Sequence, residues 1–488
     1  MKLRPGPILA LVLLVGLGVY TYVSEFRGKE GGEKAGAAKD RPIVFDRAAL
    51  KAIQIRNDHG SLRLEKEGED WKLTAPLATG ADQDAIEGLL NSVESAHVER
   101  RIGAAGDRKE YGLDPPRATL TIETNAGGEP QTLAVGDSNP IGGTHFALLS
   151  GTNEVAVVSG SLDDIASKDL LGLRDKSLLS LDSWKMKRFT IERGRETIRM
   201  EKPDDGWIIR QPVEAPADGP TITDLLNALQ NLRATAVPSE KPSAADLRRF
   251  GLQPPQARMA LLQEGWDVEK TVAFGREAPG GGRYARTIGR DPVLTVPADF
   301  WPKVTTKLFD LRRKDLLGVQ QYRIESVTFA RHGKPASTLT RQKDQTWALT
   351  GEIKGTVKAE TADGLVRMIS DLKAVAFDDN PKETVRAALS RRPALDLTLQ
   401  EEADTSGGRT KSQHLLIGPP DKRGNVLVRD LAWRPIATAG SGSVEKIGHQ
   451  IDAVLKEAAE PPPPQPSPSP GAAPAAAPVT TPSPLPER

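Results

Sequence analysis

An internal repeat constrains this chain more than any other feature. The motif at 110–118, Glu-Tyr-Gly-Leu-Asp-Pro-Pro-Arg-Ala, returns at 249–257 as Arg-Phe-Gly-Leu-Gln-Pro-Pro-Gln-Ala, an offset of 139 (250 − 111). Three tryptophans follow a similar spacing, at Trp71, Trp207 and Trp347. Strand ends at Gly136, Gly275 and Gly418 and a Leu-Arg-x-Lys-x-Leu-Leu motif at 173–179 and 311–317 also stay in register. Because several landmarks keep one spacing, the sequence predicts three tandem copies of one module.

The residue pattern within a copy is typical of an α+β module. Alternating apolar and polar residues at 53–56 and 62–64, followed by the run around Trp71, predict antiparallel strands with one buried face. The Gly of the repeated motif supplies a bend and its Pro-Pro pair excludes helix, so we expect extended strands next, at 118–122 and 257–262. Strands at 146–149 and 155–158 and a helix near 162–165 complete the copy. The predicted fold class is α+β, with tandem repeats of an antiparallel sheet plus helices.

One amphipathic helix in each of the first two copies is predicted to cover the sheet. After Asp82, apolar residues recur at the spacing of one helix face, at Ile86, Leu89, Leu90 and Val93. In the second copy the same spacing recurs at 225, 226, 229 and 232, after Thr223. We therefore expect the second helix to begin at Thr223.

The third copy departs from the pattern of the first two. It keeps Trp347 and Gly418 but reads Leu-Ser-Arg-Arg-Pro-Ala-Leu at 389–395, without the Gly-Leu-x-Pro-Pro signature. Terminal repeats are often atypical because one side faces solvent, so we interpret this copy as a cap. The modules are predicted at 43–182, 183–320 and 321–458, the last of them divergent. Residues 459–488, rich in Pro and Ala, are expected to form a disordered tail.

The N-terminal segment predicts a single membrane anchor. Lys2 and Arg4 precede an uncharged stretch at 6–23 that is long enough to cross a bilayer as a helix. The positive-inside rule leaves the N-terminus in the cytoplasm and the chain after Ser24 outside. A cleaved signal peptide is the alternative, but residues 19–25 lack a small-x-small site. We therefore expect an inner-membrane protein with its bulk in the periplasm, in which residues 1–26 form the cytoplasmic N-terminus and transmembrane helix and 27–42 a linker.

Charge balance and the lack of cysteine exclude several classes of function. The 66 Lys and Arg residues match 65 Asp and Glu residues and are interspersed with them, so no field of one sign would attract a polyanion. Nucleic acid is therefore not an expected partner. Without cysteine, the chain has no disulfide, thiolate nucleophile, Cys-bound zinc or iron–sulfur cluster.

The side chains that could carry chemistry form no recognisable pattern. The six histidines are scattered and lack metal-ligand spacing, so we expect solvated or core side chains at His59, His97, His145, His332, His414 and His449. The glycine run at 280–283 lacks the Gly-Lys-Ser/Thr of a phosphate loop and predicts a hairpin, like its counterparts at 140–143 and 420–424. The acid pairs at 163–164, 204–205 and 378–379 are interpreted as turn residues. Ser441 and Ser443 are interpreted as part of a Gly/Ser loop without a preceding strand.

Two recurring features carry both a functional and a structural interpretation. The basic residues of the junction motifs, at 174, 176 and 312–314, could contact an acidic partner or lipid headgroups. We favour the structural interpretation, in which they solvate a short connector whose leucines pack inward, at Leu178, Leu179, Leu316 and Leu317. The three tryptophans could stack on a glycan, but one per module beside alternating apolar residues favours the core.

Together the anchor, the tryptophan strands, the Tyr/Phe-Gly-Leu-x-Pro-Pro motifs and the Leu-Arg-x-Lys-x-Leu-Leu motifs resemble a bacterial family built on a domain of unknown function, the DUF4340 type. The resemblance covers roughly 45–455, clearly for two copies and loosely for the third. It implies a single-pass envelope protein and, because family genes often neighbour ABC-transporter genes of the gliding-motility type, an accessory role near such a transporter. It supplies no catalytic residue.

The sequence therefore predicts a protein that is not an enzyme. We expect no catalytic residue, no bound metal and no cofactor, and a role as a membrane-anchored extracytoplasmic scaffold or accessory protein of a membrane transport complex. The alternative is a periplasmic binding module for cell-wall polysaccharide or another envelope ligand.

Overall fold

Three antiparallel sheets of nine strands each form the framework of the part of the chain that the structure describes. The computed structural model describes residues 40–460, except 105, 126, 141, 161, 204–205, 319 and 403–410. The predicted anchor at 6–23 and the predicted tail beyond Glu460 lie outside the described residues. Among the helices of the described part, none combines the length and the apolar character needed to cross a membrane.

Each predicted module span contains one sheet. The strands of the first sheet are β1 (Leu50–Asn57), β2 (Gly60–Glu67), β3 (Asp70–Ala75), β4 (Thr79–Gly80), β5 (His97–Ala104), β6 (Ala118–Thr124), β7 (Gln131–Ser138), β8 (His145–Leu148) and β9 (Glu154–Ser159). Those of the second are β10 (Met186–Arg193), β11 (Glu196–Glu201), β12 (Ile208–Gln211), β13 (Ala215–Pro216), β14 (Ala236–Ser239), β15 (Ala257–Gln263), β16 (Lys270–Glu277), β17 (Arg283–Thr287) and β18 (Val293–Val296). Those of the third are β19 (Ile324–Arg331), β20 (Ser337–Arg341), β21 (Trp347–Thr350), β22 (Gly355–Val357), β23 (Ala376–Asp378), β24 (Leu395–Glu401), β25 (Ser412–Ile417), β26 (Asn425–Asp430) and β27 (Ile436–Gly440).

The three sheets share one strand order. The first runs β4-β3-β2-β1-β6-β7-β8-β9-β5, and the other two repeat this order strand for strand. The opening strand of each sheet has a register shift at the same place, between residues 50 and 52, 186 and 188, and 324 and 326. The α+β fold class and the repeat are thus confirmed, and the third copy keeps the topology although it has lost the Gly-Leu-x-Pro-Pro signature.

Ten helices are seen in the described residues. They are α1 (Gln83–Ser95), α2 (Asp163–Ser167), α3 (Leu170–Leu173), α4 (Gly219–Gln230), α5 (Ala244–Arg249), α6 (Trp301–Val304), α7 (Leu308–Leu311), α8 (Ala359–Ser370), α9 (Glu383–Arg391) and α10 (Ser441–Ala459). As predicted, Asp82 caps α1 by accepting a hydrogen bond from the Ala85 amide, and the four apolar residues after it are buried.

The predicted start of the second amphipathic helix is wrong by one turn. Helix α4 begins at Gly219 rather than Thr223, because the Asp218 carboxylate accepts a hydrogen bond from the Thr221 amide at 2.9 Å. Pro220 is compatible with this start, since an amide in the first helical turn has no carbonyl partner within the helix. The spacing of the apolar residues alone could not indicate where this helix begins.

The repeated Tyr/Phe-Gly-Leu-x-Pro-Pro motif packs its backbone against a strand that has room only for glycine. A Cβ on Gly136 of β7 would lie 2.1 Å from the Tyr111 carbonyl oxygen, and a Cβ on Gly275 of β16 would lie 2.2 Å from that of Phe250. In the third copy, a Cβ on Gly418 would instead meet a side-chain atom of Leu389, at 2.8 Å. The motif and the strand-end glycine therefore form one packing unit in the first two copies only.

The chain divides into two compact units. Of the described residues, one unit contains 40–181, 228–257 and 270–301, and the other contains 182–227, 258–269 and 302–460. In the first unit, one face of the first sheet packs on α1, α2 and α3 through a core that includes Ile53, Leu64 and Ile86. In the second unit, the third sheet packs on α8 and α10 around the fully buried Trp347.

The terminal helix α10 covers the outer strand of the third sheet. The Ala458 carbonyl oxygen approaches so closely that a Cβ on Gly355 of β22 would lie 2.0 Å from it. The Glu457 carboxylate also accepts a hydrogen bond from the Lys358 amide at 3.2 Å. A strand edge with unpaired backbone groups is thereby shielded, which supports the interpretation of the third copy as a cap.

Candidate functional site

His145 is the histidine with the most complete polar environment. It is 3% exposed, its Nε2 lies 3.3 Å from Asp163 Oδ2, and its Nδ1 lies 3.5 Å from Ser138 Oγ. These are the residue types of a serine hydrolase, but the Ser–His distance is long for an activated nucleophile and the Asp163 side chain is 64% exposed. In the second module, Arg283 occupies the matching strand position and its guanidinium stacks 3.6 Å from the Trp301 ring. The position therefore holds a basic side chain packed against the fold in two modules, which favours a structural role.

The other histidines are dispersed. His97 lies opposite Ser159 on paired strands, with its Nδ1 2.8 Å from the Ser159 hydroxyl, and His414 Nε2 lies 2.7 Å from Asp396 Oδ1. His59 and His332 lie in turns at the surface, and His449 lies on α10. Within the described ranges, no group of three or more His, Asp or Glu side chains is placed to hold a metal ion.

The glycine-containing loops form hairpins, as predicted. The loop around 280–282 closes between β16 and β17 with a hydrogen bond from the Ala278 amide to the Gly282 carbonyl at 2.7 Å. The counterpart loops close in the same way, from Asn139 to Thr144 and from Asp421 to Asn425, each at 2.7 Å. The main-chain groups that a phosphate loop would present to a ligand are here used within the hairpin.

The interpretations of the acid pairs and of the serines need correction. Asp378 ends strand β23 and accepts a hydrogen bond from the Asn380 amide, and Asp379 lies in the bend after it. Asp163 and Asp164 lie in the first turn of α2. The pair at 204–205 lies outside the described residues. Ser441 and Ser443 do not lie in a loop, because β27 leads directly into α10 at Ser441. The Gly/Ser composition concealed a helix whose buried residues, Ile447, Ile451 and Val454, follow helical spacing.

The three repeated tryptophans are core residues. Trp71, Trp207 and Trp347 are 4%, 8% and 0% exposed, so a stacking role on a glycan is excluded for all three. The leucines of the junction motifs also pack inward as expected, with Leu178, Leu179 and Leu317 buried.

The arginine of the first junction motif is buried and paired with a carboxylate. Arg174 is 3% exposed, and its Nη1 donates to Glu240 Oε1 at 2.5 Å while its Nη2 donates to Oε2 at 3.3 Å. Lys176, two positions on, lies 3.3 Å from Asp82, the cap of α1. Both interpretations of this motif were wrong for the arginine, because it neither solvates the connector nor faces an external partner.

The second junction has a corresponding ion pair in the other unit, although it lacks the two hydrogen bonds of the first. Arg312 is also 3% exposed and its Nη2 lies 2.5 Å from Asp379 Oδ1. Its guanidinium stacks 4.5 Å from the Phe377 ring, which adds a cation–π contact. The two arginines are offset by 138 (312 − 174) and their carboxylate partners by 139 (379 − 240). The buried ion pair is therefore part of the repeat.

Backbone hydrogen bonds hold each connector on both of its sides. The Asp175 amide donates to Gly80 of β4 at 2.8 Å, and the Ala234 amide donates to Lys176 at 2.8 Å. In the second unit the matching bonds run from Arg313 to Pro216 of β13 at 3.1 Å and from Ala374 to Lys314 at 2.8 Å. Each connector thus joins the outer strand of one module to the segment that follows the amphipathic helix of the next.

Cavities lie beside both connectors. The one in the second unit, bounded in part by Arg313, Asp430 and Trp433, has a volume of about 50 Å³, which is far below the size of an ordinary ligand site. Burial lowers the pKa of Arg313 and raises the pKa of Asp430, whose carboxylate accepts hydrogen bonds from Gln413 Nε2 and the Ala432 amide. Clefts of about 450 and 550 Å³ flank the first connector and are lined by polar and apolar groups alike.

Sequence reasoning identified the junction motifs but missed their partners. Glu240 lies in a segment without a recognisable motif, and Asp379 belongs to an acid pair that was interpreted only as turn residues. The shared offset of the two carboxylates from the arginines is the signal that would have indicated them.

Comparison with known proteins yields one family. The model of a domain of unknown function, DUF4340, matches residues 71–234 and 207–391. The two matches begin at Trp71 and Trp207, so they follow the repeat, and each extends past a junction motif into the next module. No curated protein matches the chain.

Proposed function

This chain belongs to the DUF4340 family, and from that premise we propose that it is a non-catalytic, membrane-anchored scaffold or accessory protein of a membrane transport complex. The observation that carries the proposal is the repeated connector. Within its own compact unit, each junction pairs a buried arginine with a carboxylate and has backbone hydrogen bonds on two sides, which suits connectors that are fixed to the segments they join.

The physical reason lies in how such joints differ from flexible linkers. Domains joined by polar or glycine-rich linkers move relative to one another by default. A connector that extends the edge of one sheet and is bonded to the next module removes much of that freedom. A series of fixed joints supports a role in positioning, whereas an enzyme needs no such repetition.

We further propose that residues 6–23 span the inner membrane and that the modules lie in the periplasm, with the Pro-rich tail beyond them. Protease added to spheroplasts should then digest the modules, and alkaline carbonate should leave the chain in the membrane fraction. Release by carbonate, or protection from protease, would contradict this topology.

The accessory role is tested by purification of the full chain from its native membrane in mild detergent. We expect one or more integral membrane proteins of a transport complex to co-purify above the level seen with a tagged anchor, residues 1–42, alone. If the two samples recover the same proteins, the accessory role fails. Sedimentation of the purified chain with insoluble cell-wall polysaccharide tests the alternative binding role in parallel.

A further inference from the structure

Two aromatic side chains stand almost fully in solvent at equivalent positions of the second and third modules. Trp184 is 79% exposed and Tyr322 is 78% exposed, and they are offset by 138 (322 − 184), close to the spacing of the repeat. Each lies at the centre of a 3-10 turn, Ser183–Lys185 or Gln321–Arg323, that leads into the first strand of its sheet. Both belong to the second compact unit.

The turn under Trp184 is held rigidly. The Asp182 carboxylate accepts a hydrogen bond from the Trp184 amide at 3.0 Å, and the Asp182 amide donates to Gln263 Oε1 at 2.8 Å. The Ser183 hydroxyl donates to Asn227 at 2.7 Å. The ring is therefore presented outward by a fixed backbone, so binding it would cost little conformational entropy.

The turn under Tyr322 is held by a similar scheme. The Gln320 amide donates to Glu401 Oε1 at 2.7 Å, and the Arg323 amide donates to the Gln320 carbonyl at 2.9 Å. The Tyr322 hydroxyl donates to the Gln320 side chain. The turn thus keeps its form and its outward aromatic ring while the supporting residues differ.

The first module shows that the turn does not need an aromatic residue. Its matching turn, Arg47–Ala49, has Ala48 at the centre, and the Asp46 carboxylate accepts a hydrogen bond from the Ala48 amide at 2.9 Å. Trp184 and Tyr322 are therefore dispensable for the local fold. Burial of either ring would be favourable by the apolar area that leaves water, and no part of the chain that the structure describes supplies that burial.

The surroundings of Trp184 indicate the kind of partner. Val268, on the neighbouring β15–β16 hairpin, is 68% exposed, and the Glu264 amide of that hairpin bonds to the Lys185 carbonyl at 2.9 Å. The turn, the start of β10 and the hairpin carry charges of both signs, at Asp182, Lys185, Lys187, Arg188, Glu264, Asp267 and Glu269. An anionic membrane would need a net positive surface, and stacking on a sugar would leave Val268 unused. Exposed aromatic and aliphatic groups on adjoining segments that carry charges of both signs match a protein interface.

We propose that Trp184 and Tyr322 are anchor residues of a protein-binding surface, whose partner offers an apolar pocket for each ring and a rim of balanced charge. The proposal rests on the proposed scaffold function and names the surface through which it acts.

The test places a photo-crosslinking amino acid at position 184, 322 or 48 of the full chain in its native membrane. We expect positions 184 and 322 to form adducts with the same protein, identified by mass spectrometry, and position 48 to form none with it. The double variant W184A/Y322A gives these turns the residue of the first module. It should retain its thermal unfolding midpoint and bind the identified protein at least about 30-fold more weakly.

Each other outcome overturns the proposal. Adducts that a muramidase digests indicate a glycan, adducts that extract as lipid indicate a membrane, and unchanged recovery by W184A/Y322A indicates another surface. If unaltered chain recovers a transport-complex protein that the double variant also retains, only this surface fails. If the adduct contains a protein outside any transport complex, the surface stands and the accessory role fails.

Discussion

Replacing Arg174 and replacing Glu240, the two members of the ion pair at the first junction, should destabilise the fold by very different amounts. The Arg174 side chain is 4% exposed and that of Glu240 is 36% exposed. Glu240→Gln leaves a guanidinium buried without its counter-charge, which costs about 3–5 kcal/mol. Arg174→Met leaves a carboxylate that water can reach and a side chain of similar length in the buried space, so we expect a loss of about 1 kcal/mol.

Hydrogen exchange of the connector amides measures this difference locally. The amides of Asp175 and Ala234 are bonded to Gly80 and Lys176 respectively, so they exchange when the junction opens. At about 1.4 kcal/mol per factor of ten, Glu240→Gln should accelerate their exchange by roughly two to three orders of magnitude, and Arg174→Met by about tenfold or less.

The second junction supplies the control within the same molecule. The amides of Arg313 and Ala374 occupy the matching positions there and should exchange at unchanged rates in both variants. The double variant should resemble Arg174→Met, because no buried charge remains. Equal acceleration by the two single variants, or a double variant worse than either, would refute the argument from burial.

Three further predictions concern individual modules. Gly136→Ala and Gly275→Ala should each destabilise their module by several kcal/mol in urea unfolding, because the new Cβ would overlap a backbone oxygen. Gly418→Ala should cost about 1 kcal/mol in the same assay, because the nearest atom is a methyl of Leu389, which can move. Burial raises the pKa of Asp430, so its favourable contribution is present below the ordinary value of 3.8 and is lost as the pH rises through the higher folded pKa. Asp430→Asn should therefore raise the thermal unfolding midpoint at pH 7. The decrease of that midpoint as the pH rises above 3.8 should also be smaller in the variant, and an unchanged pH profile would contradict this. Trp347→Leu should lower the stability of the third module by about 2 kcal/mol or more in thermal unfolding, since the side chain is fully buried.

The repeat and the strand pattern could be predicted because they depend on local periodicity. The alternation in β1 and β2, the helix after Asp82 and the hairpin loops each follow from residues that are close in sequence. The third sheet was harder to predict from the sequence, because the third copy lacks the Gly-Leu-x-Pro-Pro signature. Its strand order is preserved since the core positions around Trp347 still alternate.

The junction pairs and the His145 environment could not be predicted because they join residues that are distant in sequence. Arg174 and Glu240 are far apart along the chain, and a lone glutamate in a polar segment gives no signal that it pairs with a buried arginine. The exposed aromatics were missed for the opposite reason, since an apolar residue before a strand suggests core. Helix α10 was missed at its start because glycine and serine favour loops unless the following turns pack on a sheet.

The end of α10 against β22 protects the outer edge of the third sheet. After β9 and β18 the chain makes short helices and then a connector that extends an outer strand, whereas after β27 one long helix takes that place. Because the end of α10 lies against β22, loss of this helix would leave the outer strand of the third sheet open to pairing with another molecule.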